Sequence, residues 1–287
     1  MKYQSDENFR RALEDRLKLR EREQREPLVR LRKRVIFERC LVRLQRKEQS
    51  TWILKGAFAL ELRLGQQARM TKDFDLGVDL GIDGQQEWSY ADVAQLLRKD
   101  LTEQMDDRFT FLVHEKSEQD TIAPGVKAYR LMVETRLAGR TFEKIQVDIG
   151  VGDPLVPPFD ELEGSDLLDF AGIPRPVIRA TSRAQHLAEK VHALTRPFDD
   201  RINTRVKDLV DLMLLMDMGL PDPPVVKRTV EQIFSVRGTH AIPPTIGNPP
   251  ATWVSSFTAM AMEIGLAQTN VKDATSRLND YWSKLFP

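Results

Sequence analysis

Between Asp73 and Leu80 the sequence alternates strictly: Phe74, Leu76, Val78 and Leu80 at even positions, Asp73, Asp75 and Asp79 among the odd ones. Successive side chains of a strand point to opposite faces, so this pattern specifies a strand with one apolar face and one acidic, wet face. Aspartate is disfavoured in strands, and two like charges two positions apart on one face repel. A divalent cation between them removes the conflict, and hard carboxylate oxygens suit magnesium, with manganese as a substitute. The alternative is an acidic strand end satisfied by solvent alone. Asp79, further along the same face, reads as surface.

The flanking segments sharpen the choice. Thr51–Lys55 reads as a short buried strand, Gly56–Ala57 as a tight turn, and Phe58–Leu64 as a helix ended by Gly65. A glycine there lets backbone amides at a helix N-terminus approach phosphate closely. Downstream, Ile145, Val147, Ile149 and Val151 form the apolar face of another strand, leaving Gln146 and Asp148 on its polar face. Asp148 is the candidate third ligand beside Asp73 and Asp75. Such a cluster suits an in-line displacement on a phosphate ester.

Further strands are expected at Phe109–Val113, Ala128–Leu137 and Lys144–Val151, and an amphipathic helix at Tyr90–Gln104, which gives an α+β sheet with flanking helices. Residues 1–50 read as an N-terminal helical cap, two helices meeting near Pro27. Residues 51–153 form the α+β core. Beyond Gly152 the prolines at 154, 157, 158, 174 and 176 mark a connection into a mostly helical lobe, 154–287. That lobe holds a helical stretch from Ser182 to Met218, interrupted near Pro197, and helices around 225–234, 253–266 and 271–286.

Two blocks carry a family resemblance. Trp52-Ile-Leu-Lys-Gly-Ala-Phe-Ala-Leu60 followed by Arg69-Met-Thr-Lys-Asp-Phe-Asp75 resembles the opening motif of the DNA polymerase β-type nucleotidyltransferase superfamily. Leu187-Ala-Glu-Lys-Val-His-Ala-Leu194, Arg196 and Lys207-Asp-Leu-Val-Asp-Leu212 resemble the helical Lys and Asp motifs of its AbiEii/AbiGii toxin family, which includes the MenT-like toxins. The resemblance implies a polymerase β-like mixed sheet with a helical C-terminal lobe. It implies a toxin of a toxin-antitoxin system that transfers a nucleoside monophosphate from an NTP, with release of pyrophosphate.

By that resemblance Asp73 and Asp75 are metal ligands, Lys190 contacts triphosphate, Asp208 completes the site edge, and Arg69 and Thr71 join Gly56 and Ala57 as phosphate contacts. A tRNA acceptor and a cognate antitoxin are its expected partners. The sequence departs from the superfamily at Ala57, where serine or glycine is usual, which removes a hydroxyl contact. The loop from Ala57 to Asp73 is also slightly long.

The residues themselves leave alternatives. Lys190, among Leu187, Val191 and Leu194, has the placement of a lysine whose stem packs and whose head reaches water. Asp208 and Asp211 share a helix face, where Arg205 or Lys207 could pair with either; Asp211 is the reserve for Asp208. A small-molecule or protein acceptor, or an inactive nucleotide- or protein-binding module, would fit the same motifs.

Composition narrows the rest. No apolar stretch is long enough for a membrane span, and charge begins at Lys2, so a cytoplasmic protein is expected. The single cysteine, Cys40, reads as a buried thiol. His114, His186, His192 and His240 lack the spacing of a zinc site, and no Gly-x-Ser-x-Gly occurs. Net charge is zero, yet the first fifty residues hold 16 Lys and Arg against 9 Asp and Glu. For the tRNA acceptor that the resemblance implies, the N-terminal arginines, Arg63, Arg69, Arg201 and Arg205 are the candidates for the basic surface it would need, whereas mixed runs such as Glu21-Arg22-Glu23 read as solvated helix faces.

Overall fold

The computed structural model describes residues 2–47, 50–79, 88–123, 126–198 and 202–287. Helices α1 (Asp6–Gln24) and α2 (Leu28–Leu44) are divided at Pro27, which takes the N-cap position of α2. Proline is tolerated there because the first amides of a helix have no intrahelical acceptor to lose. Ser5 caps α1 by accepting from Asn8 N.

A seven-stranded mixed sheet follows, built from β1 (Trp52–Leu54), β2 (Asp73–Val78), β3 (Thr110–Ala123), β4 (Val126–Leu137), β5 (Arg140–Val151), β6 (Asp160–Glu163) and β7 (Val177–Ala180) in the spatial order β3-β4-β5-β2-β1-β7-β6. β2 runs parallel to β5 and β1 parallel to β7; the other pairs are antiparallel. The alternation in β2 appears as expected: Phe74, Leu76 and Val78 are buried, while Asp73 and Asp79 are exposed and Asp75 is half-buried. Leu80 lies outside the described residues.

The remaining helices are α3 (Gly56–Leu64), α4 (Tyr90–Leu101), α5 (Arg183–Thr195), α6 (Val206–Asp217), α7 (Pro223–Arg237), α8 (Trp253–Ile264) and α9 (Val271–Leu285). None of the described helices is long and apolar enough to cross a membrane. The apolar side chains form two clusters. One joins α1, α2 and α4 to the sheet, with Phe37 stacked on Phe74 at 4.7 Å; the other joins α5 to α9 and takes in Leu60 of α3.

Two expectations change. The prolines after Gly152 do not end the sheet, because β6 and β7 lie beyond them and β7 pairs with β1. Each has only four residues, too few to show a period. The N-terminal arginines are also divided: Arg11, Arg16, Arg22, Arg25 and Arg46 are exposed, but others turn inward. Arg30, Arg39 and Arg43 are buried in α2, and Arg43 forms two 2.7 Å hydrogen bonds to Asp107, while Arg34 bridges Glu26 and Glu61. Their long side chains satisfy carboxylates from neighbouring segments inside the protein, so they are unavailable to an outside phosphate. Glu21-Arg22-Glu23, by contrast, stays at the surface. Cys40 is buried, and burial pushes its thiol pKa up.

Candidate active site

The site forms where β1 turns into α3. Lys55 is extended, Gly56 adopts φ +65°, and α3 starts at once without a side-chain cap, leaving the amides of its first turn without intrahelical partners. Lys55 N donates to Asp75 O at 2.9 Å, which stitches this turn to β2. A Cβ on Gly56 would lie 1.9 Å from Asp75 Oδ2. The expected reason for this glycine therefore changes: the space it leaves is filled by the Asp75 carboxylate and not kept open for a ligand.

Asp75 pairs in register with Asp148 across parallel strands, and Asp73 with Gln146, whose Nε2 donates to Asp73 Oδ1 at 3.3 Å. The three carboxylates thus share one sheet face. Burial pushes the Asp75 carboxyl pKa up to about 6, Asp148 and Asp73 add to the rise, and Lys190 opposes it. Asp148 is held by Arg130 through two 2.9 Å bonds. Among the described residues, no group of three or more His, Cys, Asp or Glu side chains stands ready as a metal cage.

The helical cluster supplies the opposite wall. Lys190 on α5 reaches Asp208 Oδ1 at 2.7 Å and Asp211 Oδ2 at 2.8 Å. Asp211, fully buried, also accepts from Arg69 Nε at 2.7 Å and Arg69 Nη2 at 2.8 Å. Burial alone would raise its pKa, but Lys190 and Arg69 outweigh that and bring it down to about 2. The partners of Asp211 are therefore Lys190 and Arg69, from outside its own helix, and the Lys190 head points at carboxylates. Arg205 approaches Asp208 Oδ2 only to 3.7 Å.

A cavity of about 340 Å³ brings these groups together. Asp73, Asp75, Asp148, Lys190, Asp208, Ala57, Arg69 and Thr71, eight of the nine residues singled out in the sequence, line it. Gly56 lines an adjoining cavity of about 220 Å³ that shares Asp75, Asp148 and Lys190. Arg130 and Lys207, which the sequence had not marked for the site, also face the larger cavity, with Arg205. The sequence carried no signal for Arg130, whose role depends on a cross-strand neighbour. Thr71 donates its hydroxyl proton to Asp73 O at 3.1 Å, so that proton is already committed.

Other candidates fall away from the cavity. Arg63 was expected at an RNA-facing surface; its side chain is only 4% exposed and donates to Asp160 and to the Thr181 carbonyl. Arg201 lies outside the described residues. His114 sits 3.2 Å from Glu134, and His192 and His240 share the hydroxyl of Thr239. His186 is fully buried with neither ring nitrogen hydrogen-bonded, and burial, reinforced by Lys190, pushes its pKa well down.

Comparison with known proteins adds a family to this geometry. The model of the family described as "Nucleotidyl transferase AbiEii toxin, Type IV TA system" matches residues 39–281. Among solved structures, MenT4, a nucleotidyltransferase toxin from Mycobacterium tuberculosis H37Rv, is similar with a TM-score of 0.53 and 18% identity, over 88% of this chain and 82% of that one. At that identity the likeness is one of fold. No curated protein matches the sequence.

Proposed function

From the premise that the chain belongs to the AbiEii nucleotidyltransferase toxin family, we propose that it moves a nucleoside monophosphate from an NTP to tRNA, with a divalent cation and release of pyrophosphate. The observation that carries this reading is the single cavity in which Asp73, Asp75 and Asp148 face Lys190 and Arg69 beside the first turn of α3. A cytoplasmic setting and a cognate antitoxin belong to the same reading.

The donor set fits magnesium or manganese. All three groups are hard carboxylate oxygens, and the raised pKa of Asp75 records its burial first, with Asp148 and Asp73 adding to the rise. Asp73 and Asp75 would hold the cation, and Asp148 would join them by exchanging Arg130. The bound cation supplies positive charge at the reacting phosphate and lowers the pKa of an attacking hydroxyl.

The chain's own groups do the rest. An ammonium has three donors, and two of those on Lys190 are taken by Asp208 and Asp211, which leaves one for a phosphate oxygen. Arg69 keeps three of its five N–H groups beyond those given to Asp211. Ala57 contributes only its amide, at the N-terminus of α3, where partial positive charge favours an anion. The acceptor oxygen forms its bond to the α-phosphorus as the bond to pyrophosphate breaks, and its proton passes to a carboxylate of the cluster.

The burial of Arg30, Arg39, Arg43 and Arg63 favours a second reading, a small-molecule or protein acceptor, because less basic surface remains than the sequence promised. One experiment separates the two. The purified chain is incubated with magnesium, each labelled NTP and total tRNA, beside an Asp73→Ala control. Label in tRNA with the intact chain alone is the expected result. Pyrophosphate release from a cell extract with unlabelled tRNA would select the second reading. Equal transfer by Asp73→Ala would remove the assignment of this site.

A further inference from the structure

Four charged side chains outside the carboxylate cluster are buried together where β1, the segment after β5, α5 and α7 converge. Lys55 Nζ contacts Asp153 Oδ2 and lies 2.7 Å from Glu189 Oε1. Arg237 grips both oxygens of Asp153 at 2.8 Å. The side chains of Lys55, Asp153, Glu189 and Arg237 are 8%, 3%, 12% and 7% exposed. Two cations meet two anions, so the group is neutral as a whole.

Burying such a group is expensive, and well-packed apolar side chains of the same volume are often as stable or more so. Stability alone is thus a weak reason for it. Its connections supply a better one. Lys55 immediately precedes Gly56, and Glu189 immediately precedes Lys190. Asp153 stands two residues beyond the end of β5, the strand that carries Asp148. Gln185, one turn before Glu189, donates to Glu189 and to Pro154 O and accepts from Val156 N, which ties the same segment to α5. Arg237 also contacts His192 at 3.3 Å, so the group is anchored to the helical cluster as well.

We propose that Lys55 is a positioning residue for nucleotidyl transfer: through Glu189 and Asp153 its ammonium fixes the first turn of α3 against Lys190, so that one triphosphate meets both. Lys55 itself donates to protein carboxylates and acts through its neighbours. The missing hydroxyl at Ala57 makes this placement matter more, because amides are the only groups that turn offers. The inference rests on the nucleotidyltransferase reading above and assigns a role to residues that reading leaves unused.

The test uses the full chain and two variants. Lys55→Met/Glu189→Gln removes one cation and one anion while Arg237 still satisfies Asp153, so no buried charge is stranded. Glu189→Gln alone keeps the shape of the side chain and the Lys55–Asp153–Arg237 contacts. Melting temperature and steady-state pyrophosphate release with magnesium are measured for each. The expected result is a double variant that melts near the wild type, with KM for NTP raised about tenfold or more, a smaller change in kcat and an unchanged KM for the acceptor, since small displacements of binding groups carry large kinetic penalties. Glu189→Gln should move KM for NTP in the same direction by a smaller factor. A double variant with wild-type KM overturns the proposal; if the double variant does not fold, wild-type KM in folded Glu189→Gln overturns it. A wild-type chain that releases no pyrophosphate overturns the enzymatic reading and this proposal together, whereas an active wild type beside unaffected variants overturns this proposal alone.

Discussion

Asp75 and Gly56 are explained only by each other. The carboxylate occupies the volume a Cβ would need, and the positive φ of Gly56 is itself a conformation that L side chains avoid. The same close packing screens the half-buried Asp75 from much of the water and lifts its pKa from 3.8 to about 6. The folded state therefore holds the proton more tightly than the unfolded chain. Its contribution to stability is complete below about pH 3.8 and is lost as pH rises through about 6. Asp75→Asn mimics the protonated form. In metal-free protein at pH 8 it should raise stability by about 1–2 kcal/mol after allowance for solvent screening, flatten the fall between pH 4 and 7, and abolish pyrophosphate release. Urea titrations across pH check the first two outcomes. The alternation of β2 and β5 made Asp73, Asp75 and Asp148 visible in the sequence. It could not show that Arg130 holds Asp148 or that Asp211 joins Lys190 to Arg69, because those pairs come from segments far apart in the chain.

At the scale of elements, α2 shows what a charged sequence conceals. Its arginines read as surface, yet Arg43 is fixed inside by Asp107 and by the carbonyls of Arg39, Glu103 and Phe109. Arg43→Ala leaves the buried Asp107 carboxylate only the Phe109 amide and Arg39 at 3.8 Å, and should destabilise the fold by about 3 kcal/mol, with KM for NTP unchanged in the protein that remains folded. Equilibrium unfolding in urea beside nucleotide kinetics measures both. Long elements with a strong period, such as α1, α4 and β5, were legible along the chain. β6 and β7 were not, for β6 offers only Leu162 as an apolar residue and Val177 of β7 is exposed. Their identity as strands is fixed by pairing, chiefly with each other and through β7 with β1, and not by composition.

On the scale of the whole molecule, zero net charge is nearly repeated in the larger cavity, where cations face Asp73, Asp75, Asp148 and Asp208. Arg69, Arg130, Lys190, Arg205 and Lys207 all line the larger cavity; Arg130 and Lys207 are exposed, and Lys207, on the first turn of α6, is not tied to a carboxylate of the cluster as Arg130 is to Asp148. Lys207→Ala should weaken tRNA binding by a similar factor for every tRNA and lower the slope of log K against log salt by about one, the share of a single phosphate contact. Binding measured from 50 to 200 mM salt checks this. A slope equal to the wild type's would place the nucleic acid elsewhere on the surface.

The junction of β7 with α5 has a further consequence. Thr181 N donates to Leu54 O at 2.9 Å, and α5 begins two residues later, so the strands leading to α3 and to α5 lie side by side in one sheet. The two walls of the cavity are cast in one piece, like a die, rather than hinged like jaws. Discrimination among nucleotides in such a vessel is expected to come from the fit of a preformed mould, with α3 and α5 keeping their separation whether or not a nucleotide is bound.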